Sequence, residues 1–372
     1  MTTKKSERPL YVGAITGTSV DGLDVALVDV SGPIAFIAGE TLTFPNALRR
    51  ELLALGQPGS DDLDQLGEAD RALGYFIGHG ILDFLEARNL SPTDITAIGS
   101  HGQTVRHRPD AAQPFTWQIG DPNMIAEVTH ITTVADFRRR DMTAGGQGAP
   151  LVPRFHEALF RHADEDRAIL NIGGISNLTT LMADPDIDIT GFDTGPGNAL
   201  MDVWCEQHTG KPYDVDGALA AKGSVAEPLL QQLLSDPYLH KTPPKSTGRE
   251  YYNLNWLQSR LSKKAPPTQD VQRTLLEFTA VSITGAMANW AASARRLIVC
   301  GGGRANPLLL NRLRTSLAMP VDTTEDHGYD GDMIEAAAFA WLAHRRLAGL
   351  TGSAGSVTGA RGDRVLGAIY PA

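Results

Sequence analysis

The chain of 372 residues carries a net charge of −10 and contains only two cysteines, Cys205 and Cys300. An acidic balance argues against binding to nucleic acid, and so few cysteines argue against a disulfide framework and for a reducing compartment. The apolar run after the charged N-terminus is too short and too often interrupted for a signal peptide or a membrane span, so we expect a cytoplasmic protein without membrane contact.

The first regular stretch, residues 11–30, reads YVGAITGTSVDGLDVALVDV. Two apolar runs rich in β-branched residues, at 12–15 and 25–30, are joined by a short turn that contains glycine. This pattern predicts a β-hairpin. Residues 34–44 continue the alternation and predict a third strand beside the hairpin.

The turn of this hairpin carries groups that suit a phosphate ligand. Gly17 lets backbone amides approach a ligand closely, and Thr18 and Ser19 add hydroxyl donors. Amides and hydroxyls bind phosphate oxygens, and the carboxylates of Asp21 and Asp24 suit the Mg²⁺ that accompanies phosphates. A plain hairpin, in which glycine and aspartate serve only the turn geometry, explains these residues equally well.

The remainder of the first half predicts alternating helices and strands. Helices are expected at 46–55, 61–89 and 121–130, and strands at 95–98, 115–119 and 132–137. The segment GSHGQT at 99–104 is predicted to be a polar loop, and the glycine-rich segment 143–150 a loop that follows the first domain.

The second half begins as the first does, with a strand at 168–172, a Gly/Ser turn at 173–177 and a return strand at 178–182. In both halves a later strand, at 97–100 and at 297–300, ends in a glycine-rich loop. We therefore predict an α/β protein with two duplicated domains, 1–142 and 143–349, and a nucleotide cleft between them. The segment 350–372 is a candidate to complete the first domain. The competing interpretation is that two unrelated α/β segments look alike at this level.

The other elements of the second half are predicted in the same way. A strand at 189–192 leads into DTGPGN and then a helix that runs to residue 208, and the polar, proline-rich segment 235–264 is expected to form loops. Further helices are expected at 272–292, 306–317 and 332–347, and a last strand at 365–370.

The common nucleotide-binding signatures are absent from the sequence. No G-x-x-x-x-G-K-[ST] occurs and no strand is followed by G-x-G-x-x-G, so neither a Walker P-loop nor a Rossmann site is supported. Two hairpin turns remain, one after Gly17 and one at Gly173 and Gly174, and on opposed domains they would hold a polyphosphate. The glycines at 301–303 precede a helix, whose N-terminus suits an adenosine or an α-phosphate.

Asp193 is the acid that we single out as a general base. It ends an apolar strand and precedes Gly195-Pro196-Gly197, a rigid backbone that can meet a ligand. A carboxylate at the end of a strand, facing a cleft, suits proton abstraction. The alternative is an aspartate that caps the helix beginning near Asn198.

Several polar residues of the first half suit a substrate. Arginine forks bind carboxylates bidentately, so Asp136 with Arg138 and Arg139 is expected to bind an anionic or polyhydroxyl ligand. His101 and Gln103 lie in a glycine loop, where polar side chains often meet ligands. For Arg140 the alternative is a solvated charged turn or an inter-domain salt bridge.

The motifs GTSVDGLD, GSHGQTVRH, DFRRRD, GGQGAPLVP, NIGGISN, FDTGPGN, PKSTGRE and CGGG together resemble those of the anhydro-N-acetylmuramic acid kinase family, over residues 11–372. The resemblance implies two duplicated actin-like (ribonuclease H-like) domains and the use of ATP with Mg²⁺. It implies that ATP phosphorylates O6 of 1,6-anhydro-N-acetylmuramic acid while water opens the anhydro ring at C1, giving N-acetylmuramic acid 6-phosphate and ADP in peptidoglycan recycling. One departure is Ala14-Ile15-Thr16 where the family usually has Met-Ser before the glycine, although Thr16 keeps a hydroxyl.

The resemblance implies that residues 17–24 line the ATP phosphates and that Asp193 is the catalytic base. The predicted nucleotide-binding residues are Gly17, Thr18, Ser19, Val20, Asp21, Gly22, Leu23, Asp24, Gly173, Gly174, Gly301, Gly302 and Gly303, with Asp21 as the metal ligand. The predicted substrate-binding residues are Gln103, Thr104, Asp136, Arg138, Gly195, Asn198 and Glu335. We expect a small amino-sugar substrate and a homodimer. For Glu335, stabilisation of the first turn of a helix is the alternative.

Two other functions are compatible with these motifs. A hexose kinase of the same superfamily would use Asp193 to deprotonate a sugar hydroxyl instead of water. A non-catalytic ATP-dependent switch would bind ATP without turnover.

Overall fold

The computed structural model describes residues 9–17, 20–57, 59, 62–249, 251–262 and 265–372. The strands are β1 (Leu10–Thr16), β2 (Leu23–Asp29), β3 (Ala35–Leu42), β4 (Ile95–Arg108), β5 (Phe115–Ile119), β6 (Thr133–Ala135), β7 (Arg167–Ile172), β8 (Ile175–Leu181), β9 (Thr190–Pro196), β10 (Arg296–Cys300), β11 (Val321–Thr323) and β12 (Ala368–Tyr370). The helices are α1 (Asn46–Gly56), α2 (Leu63–Glu86), α3 (Pro122–Thr129), α4 (Arg139–Thr143), α5 (Pro153–Phe160), α6 (Ala199–Thr209), α7 (Glu227–Leu234), α8 (Leu254–Gln258), α9 (Thr268–Trp290), α10 (Pro307–Ser316), α11 (Ile334–Leu347) and α12 (Gly355–Thr358). In the described part of the chain, no helix is both long and apolar enough to cross a lipid bilayer.

The first compact unit comprises Met1–Leu159 and Met333–Ala372. Its sheet has the strand order β12-β6-β4-β1-β2-β3, and β5 pairs with β4. The strands β1, β2 and β3 form an antiparallel meander, whereas β4 runs parallel to β1 and to β6. The hairpin and third strand predicted from the alternating apolar residues are confirmed.

The second unit, Phe160–Asp332, has the strand order β11-β10-β7-β8-β9. Here β7, β8 and β9 form the antiparallel meander, and β10 runs parallel to β7 and to β11. When each sheet is followed from its third strand, β3-β2-β1-β4-β6 and β9-β8-β7-β10-β11 have the same order and the same strand directions. The prediction of two duplicated α/β domains of the actin-like kind is therefore confirmed.

The division of the chain differs from the predicted domains 1–142 and 143–349, because α11 belongs to the first unit. Glycines in β1 and β4 allow this helix to approach the backbone of the sheet. A Cβ atom on Gly13 would lie 1.8 Å from the carbonyl oxygen of Ala336, and one on Gly99 would lie 2.0 Å from that of Phe339. The sequence around β1 and β4 does not identify α11 as their partner, because the contact joins segments far apart in the chain.

The opposite face of the first sheet packs on α1, α2 and α3. Leu52, Leu73, Ile77 and Ile125 of these helices are buried in one core with the strands. The helix α2 runs without a break from Leu63 to Glu86, and Gly78 packs closely against the side chain of Val128. In the second unit, the core lies between the sheet and helices that include α6, α9 and α10.

Three segments differ from the prediction. The predicted loop 99–104 is part of the long strand β4, which continues to Arg108 because its outer half pairs with β5. The strand β9 continues to Pro196, so Asp193 lies inside a strand and not at its end. The segment 235–264, predicted as loops, contains α8 and inserts Tyr238, Tyr252 and Trp256 into the core of the second unit.

Candidate active site

The turn between β1 and β2 leaves its backbone accessible at Gly17, which is exposed. The N–H of Val20 donates to the carbonyl of Gly17 at 3.0 Å. Val20 is buried with a φ of 53°, a left-handed conformation that is rare for a β-branched residue and is typical of functional turns. Arg49 Nε donates to the Val20 carbonyl at 3.0 Å and supports this conformation. Thr18 and Ser19 lie outside the described residues.

Two carboxylates follow the turn and differ in their surroundings. Asp21 has a side chain that is 74% exposed and lies 3.5 Å from a guanidinium nitrogen of Arg49. Asp24 is half-buried and accepts a hydrogen bond from Thr41 Oγ1 at 2.6 Å. Among the described residues, no group of three or more His, Cys, Asp or Glu side chains is arranged to hold a metal. A Mg²⁺ that also binds ATP phosphates needs only one or two carboxylates and keeps several waters, so Asp21 fits the predicted role.

Gly22 and Leu23 contribute to packing. Both are buried, and a Cβ atom on Gly22 would lie 2.4 Å from Cγ2 of Thr41. The side chain of Leu23 belongs to the core of the first unit. These two residues therefore offer a ligand only their backbone atoms.

Arg138 is held by a buried histidine. Arg138 Nε donates to His101 Nε2 at 2.9 Å, and His101 Nδ1 lies 2.8 Å from the carbonyl oxygen of Gly102. Because a guanidinium nitrogen can only donate, Nε2 is the acceptor and Nδ1 carries the proton. Burial and the charge of Arg138 hold the pKa of His101 well below its usual value. His101 is therefore a neutral acceptor that orients Arg138.

Arg138 and Glu335 influence each other electrostatically. Burial lowers the pKa of Arg138 to about 10, whereas the charges of Glu335 and Asp141 raise it. Burial raises the pKa of Glu335, the charge of Arg138 lowers it and that of Asp24 raises it. The first unit thus brings together Asp24, Arg138 and Glu335, which were predicted as site residues from three distant segments.

Gln103 and Thr104 have partners within the first unit. Gln103 is buried, and its Oε1 accepts a hydrogen bond from Thr16 Oγ1 at 2.9 Å. Thr104 Oγ1 accepts one from Gln118 Nε2 at 3.0 Å. The hydroxyl that replaces the family's usual serine therefore fixes Gln103 beside the turn.

Asp136 lies beyond β6 in a left-handed conformation, with a φ of 58°. Its carboxylate accepts a hydrogen bond from Arg139 Nε at 2.7 Å, and this bond raises the pKa of Arg139. The segment DFRRRD therefore has two separate parts. Arg138 turns to His101, whereas Asp136 pairs with Arg139.

Asp193 is fixed in β9 through its backbone and its side chain. Its N–H donates to the carbonyl of Lys245 at 3.1 Å, and its own carbonyl accepts from the Tyr238 hydroxyl at 2.9 Å. Its Oδ2 accepts from the N–H of Thr247 at 2.9 Å. All three partners lie in the segment 235–264, which covers the free edge of β9.

The helix-capping alternative for Asp193 is wrong. The helix α6 begins at Ala199, its N-cap residue is Asn198, and Asp193 lies in the preceding strand. Between them Gly195 has a φ of 150°, and a Cβ atom there would lie 3.0 Å from Cδ2 of Leu239.

Lys245 adds a positive charge beside Asp193. Its Nζ donates to the carbonyls of Tyr238 at 3.4 Å and Leu239 at 3.1 Å. Burial lowers the pKa of Lys245, the charge of Asp193 raises it and that of Lys241 lowers it. This lysine was not predicted as a site residue, although it belongs to the motif PKSTGRE.

The second turn, between β7 and β8, is held against the start of α6. The carbonyl of Gly173 accepts from the N–H of Asn198 at 2.8 Å, and that of Gly174 accepts from the N–H of Gly197 at 2.9 Å. A Cβ atom on Gly174 would lie 2.6 Å from Arg249 Nε, so a guanidinium lies over this turn. Arg249 is a second residue that was not predicted from the sequence.

The glycines at 301–303 precede the helix α10, which the sequence predicted at 306–317. A single 3-10 turn, Gly302–Ala305, follows Gly301, and α10 begins only after Asn306, whose side chain caps it. A Cβ atom on Gly302 would meet open space, whereas one on Gly303 would clash with the side chain of Ile172.

Gly302 and Gly303 line a cavity of about 420 Å³ within the second unit. Its other lining residues are Asn198, Met201, Asp202, Tyr213, Asp214, Val215, Asp216, Ala305 and Asn306. Exposed Tyr213 and Val215 supply an apolar flank, and the carboxylates supply acceptors for hydroxyl groups. An apolar surface with a few polar groups is typical of sites for small organic ligands.

Asp202 is a half-buried acid of this cavity whose pKa is changed by its surroundings. Burial raises its pKa to about 7, Arg249 lowers it, and Asp214 and Glu206 raise it further. In the sequence Asp202 appears only as an acid in the first turn of a helix, for which interaction with the helix dipole is the ordinary explanation.

Comparison with known proteins gives a consistent result. A family model described as anhydro-N-acetylmuramic acid kinase matches residues 9–372. The chain is 51% identical over 362 residues to the anhydro-N-acetylmuramic acid kinase of Coxiella burnetii (strain RSA 493 / Nine Mile phase I), and the alignment covers 97% of each protein. It is 50% identical over 373 residues to that of Xanthomonas axonopodis pv. citri (strain 306), covering 98% of this chain and 99% of the relative.

Similarity to solved structures is weaker. Component A of the (R)-2-hydroxyglutaryl-CoA dehydratase of Acidaminococcus fermentans matches with a TM-score of 0.45 and 12% sequence identity, covering 88% of this chain and 96% of that one. No conclusion about function rests on a likeness of this size.

Proposed function

This chain belongs to the anhydro-N-acetylmuramic acid kinase family, and we propose that it phosphorylates O6 of 1,6-anhydro-N-acetylmuramic acid while water opens the anhydro ring at C1. The chain aligns with kinases of this family over nearly their full length, so the protein is an ATP-using phosphotransferase. The acceptor atom, the ring opening, the product N-acetylmuramic acid 6-phosphate and a role in peptidoglycan recycling belong to the proposal.

The bonding of the anhydro sugar requires the two events to be coupled. O6 is bonded to C1, so it cannot become a phosphate ester unless the C1–O6 bond breaks. Water attacks C1, the C1–O6 electron pair passes to O6, and O6 takes the γ-phosphoryl group as ADP leaves. The proton released by the water passes to a general base.

The setting of Asp193 is the observation that carries the proposal. The carboxylate is half-buried, its Oδ2 accepts the N–H of Thr247, and the backbone on both sides is bonded to Lys245 and Tyr238. A carboxylate held in this way keeps one orientation without further ordering at the moment of reaction, which favours proton transfer. We assign to Asp193 the removal of the proton from water.

The substrate carries a carboxylate in its lactyl group. Arg138 is oriented by neutral His101 and stays protonated near neutral pH, since its pKa is about 10. A guanidinium binds a carboxylate with two parallel hydrogen bonds. We assign Arg138 to the lactyl carboxylate and Glu335 to the N-acetyl N–H of the sugar.

The nucleotide is assigned to glycine turns and to the cavity of the second unit. The turn at Gly17 and the turn at Gly173 and Gly174 supply amides for phosphate oxygens. The nucleoside is assigned to the cavity beside Gly302. When bound, Mg²⁺ neutralises charge on the phosphate oxygens, and the exposed carboxylate of Asp21 would hold it.

The test is a product analysis in ¹⁸O-labelled water. The protein is incubated with ATP, MgCl₂ and anhydro-N-acetylmuramic acid, and the product is examined by mass spectrometry. We expect a product that has gained one phosphoryl group and one water, with the label at C1. A phosphorylated hexose without label at C1 would support a hexose kinase, and ATP binding without turnover would support a switch. Either result would overturn the proposal.

A further inference from the structure

A second large cavity lies within the first unit. It has a volume of about 670 Å³ and is formed by α4, the end of α11 and the segment that leads to β12. Four of its lining residues are arginines, namely Arg139, Arg140, Arg346 and Arg364, and two are acids, Asp136 and Asp363. Asp136 and Arg139 were expected from the sequence to bind a ligand, but none of these six residues has a role in the reaction proposed above.

The acids of this cavity do not balance its arginines. Asp136 is paired with Arg139 at 2.7 Å. Asp363 is paired with Arg154, which does not line the cavity. In the described part of the chain, no carboxylate forms an ion pair with Arg140 or Arg346. Arg154 pairs with Glu157 as well, so it does not neutralise Asp363. The four arginines and two aspartates that line the cavity therefore leave two positive charges in excess.

Two of these arginines are prepared for a ligand in different ways. Arg346 Nε is buried, and it has no hydrogen-bond partner among the residues that the structure describes. A buried N–H that has lost its water destabilises the protein until an acceptor pairs with it. The guanidinium of Arg364 is fixed by its hydrogen bonds to the carbonyls of Asp363 at 2.9 Å and Arg361 at 2.7 Å. The wall therefore combines an unused donor with a fixed positive charge.

We propose that this cavity binds the phosphate dianion of a small organic phosphate. A dianion balances the two excess positive charges, which a carboxylate does not, and its oxygens match guanidinium forks bidentately. A volume of about 670 Å³ exceeds the need of inorganic phosphate and falls in the usual range for organic ligands. The site is independent of the proposed reaction, because none of Arg140, Arg346 and Arg364 takes part in it.

The test is calorimetric titration of the full-length protein with glucose 6-phosphate at fixed ionic strength, with glucose as the uncharged comparison. Three variants are titrated beside the parent: Arg140→Gln, Arg346→Gln and Arg361→Gln. Arg138→Gln is titrated as well, to test the proposed substrate site, and the parent is also titrated with inorganic phosphate. Arg361 is an exposed arginine of the same region that does not line the cavity, so its exchange is the matched loss of charge. Circular dichroism melting checks that each variant folds. If Arg346→Gln does not fold, Arg140→Gln still tests the site, because Arg140 is exposed.

We expect saturable binding by the parent and none of glucose. Loss of one charge-assisted hydrogen bond should weaken binding about tenfold or more in Arg140→Gln and Arg346→Gln, and by less than about twofold in Arg361→Gln. Equal binding by all three variants, or no saturation up to about 10 mM ligand, would overturn the site. Binding that survives Arg346→Gln but is lost in Arg138→Gln would move the phosphate to the proposed substrate site. Equal affinity for inorganic phosphate would overturn the assignment to an organic ligand.

Discussion

The strands β3 and β9 occupy the same position in the two duplicated sheets, at the outer edge of the antiparallel meander, yet their surroundings differ. Every residue of β3 is exposed or half-buried, whereas β9 is buried over most of its length. The difference arises from the segment 235–264, which bonds to Asp193 through Tyr238, Lys245 and Thr247. An uncovered edge strand has unpaired backbone N–H and C=O groups that can bind another chain. In β9 such groups form hydrogen bonds with the segment 235–264.

This difference indicates that duplication of the fold did not by itself create a candidate catalytic carboxylate. On β3 the acid Glu40 is exposed and pairs with Arg88 at 3.1 Å, an ordinary surface ion pair. On β9 the covering segment holds Asp193 in one orientation. The orientation of the candidate base therefore depends on what covers the edge of the sheet.

The largest expected effect is that of Asp193→Asn. The exchange keeps the size and the hydrogen bond from Thr247 but removes the base, so turnover should fall by about 10²–10⁴-fold. Affinities for ATP and sugar should stay within about tenfold, because ground-state contacts are mostly kept. Steady-state kinetics, titration of both ligands and a melting curve measure these quantities.

The control for this variant is Glu40→Gln on β3, which should change turnover less than about twofold since exposed ion pairs contribute little. If Asp193→Asn retains near-parental turnover, the contrast between the two edge strands has no catalytic meaning. The base would then have to be sought at Asp21 or Asp24.

Gly17→Val should give the next largest effect. A β-branched side chain at the exposed turn obstructs the approach of phosphate to backbone amides, so kcat/KM for ATP should fall about a hundredfold. Gly32→Val is the matched control, because Gly32 is exposed at the other end of β2 and a Cβ atom there would meet open space. Equal kinetics for the two variants would remove the first turn from the phosphate site.

Asp202→Asn tests the cavity of the second unit through the pH dependence of stability. Burial raises the pKa of Asp202 from 3.8 to about 7, so between these values the folded protein holds a proton that the unfolded chain releases. Protonation of this buried carboxyl therefore stabilises the folded protein. The stabilisation is fully present below pH 3.8 and is lost as the pH rises through about 7. The Asp202→Asn variant has no proton to lose. Its free energy of unfolding relative to that of the parent should therefore increase by about 2 kcal/mol between pH 5 and pH 8.

Denaturant unfolding at the two pH values measures this difference. Asp188→Asn, the same exchange at an exposed aspartate close to β9 in the sequence, is the control for the substitution itself. A constant difference for Asp202→Asn from pH 5 to pH 8 would mean that Asp202 titrates at an ordinary pKa.

Arg249→Gln has the smallest expected effect and concerns the second turn. Its guanidinium lies over Gly174, where it would meet a phosphate oxygen, so KM for ATP should rise about tenfold with little change in kcat. Arg295→Gln, also exposed and in the same unit, provides the matched loss of charge. If the two variants have the same KM for ATP, Arg249 does not contact the phosphates at the second turn.

Much of the fold could be predicted because its signals are local. The alternation of apolar residues in β1 and β2, the turn glycines and the cap Asp121 before Pro122 all lie within a few residues of the structures that they specify. The errors fell where a distant partner decided the outcome. The segment 99–104 is glycine-rich and polar, but pairing with β5 makes it a strand.

The candidate site was predictable to a similar degree. Asp193 and the glycine turns belong to motifs that can be recognised in the sequence alone. Arg249, Lys245 and Asp202 were missed, since an arginine, a lysine and an aspartate in polar segments or helices usually face solvent.

By itself the sequence determined the family, the duplicated meanders and the candidate base, because periodicity, glycine positions and motifs depend on neighbouring residues. Only the tertiary structure decided that α11 belongs to the first unit, that His101 is the neutral acceptor for Arg138 and that a segment more than forty residues later covers Asp193. Orientation, burial and charge state arise from contacts between residues far apart in the chain. A local pattern carries no record of such contacts, so these properties follow only from the folded arrangement.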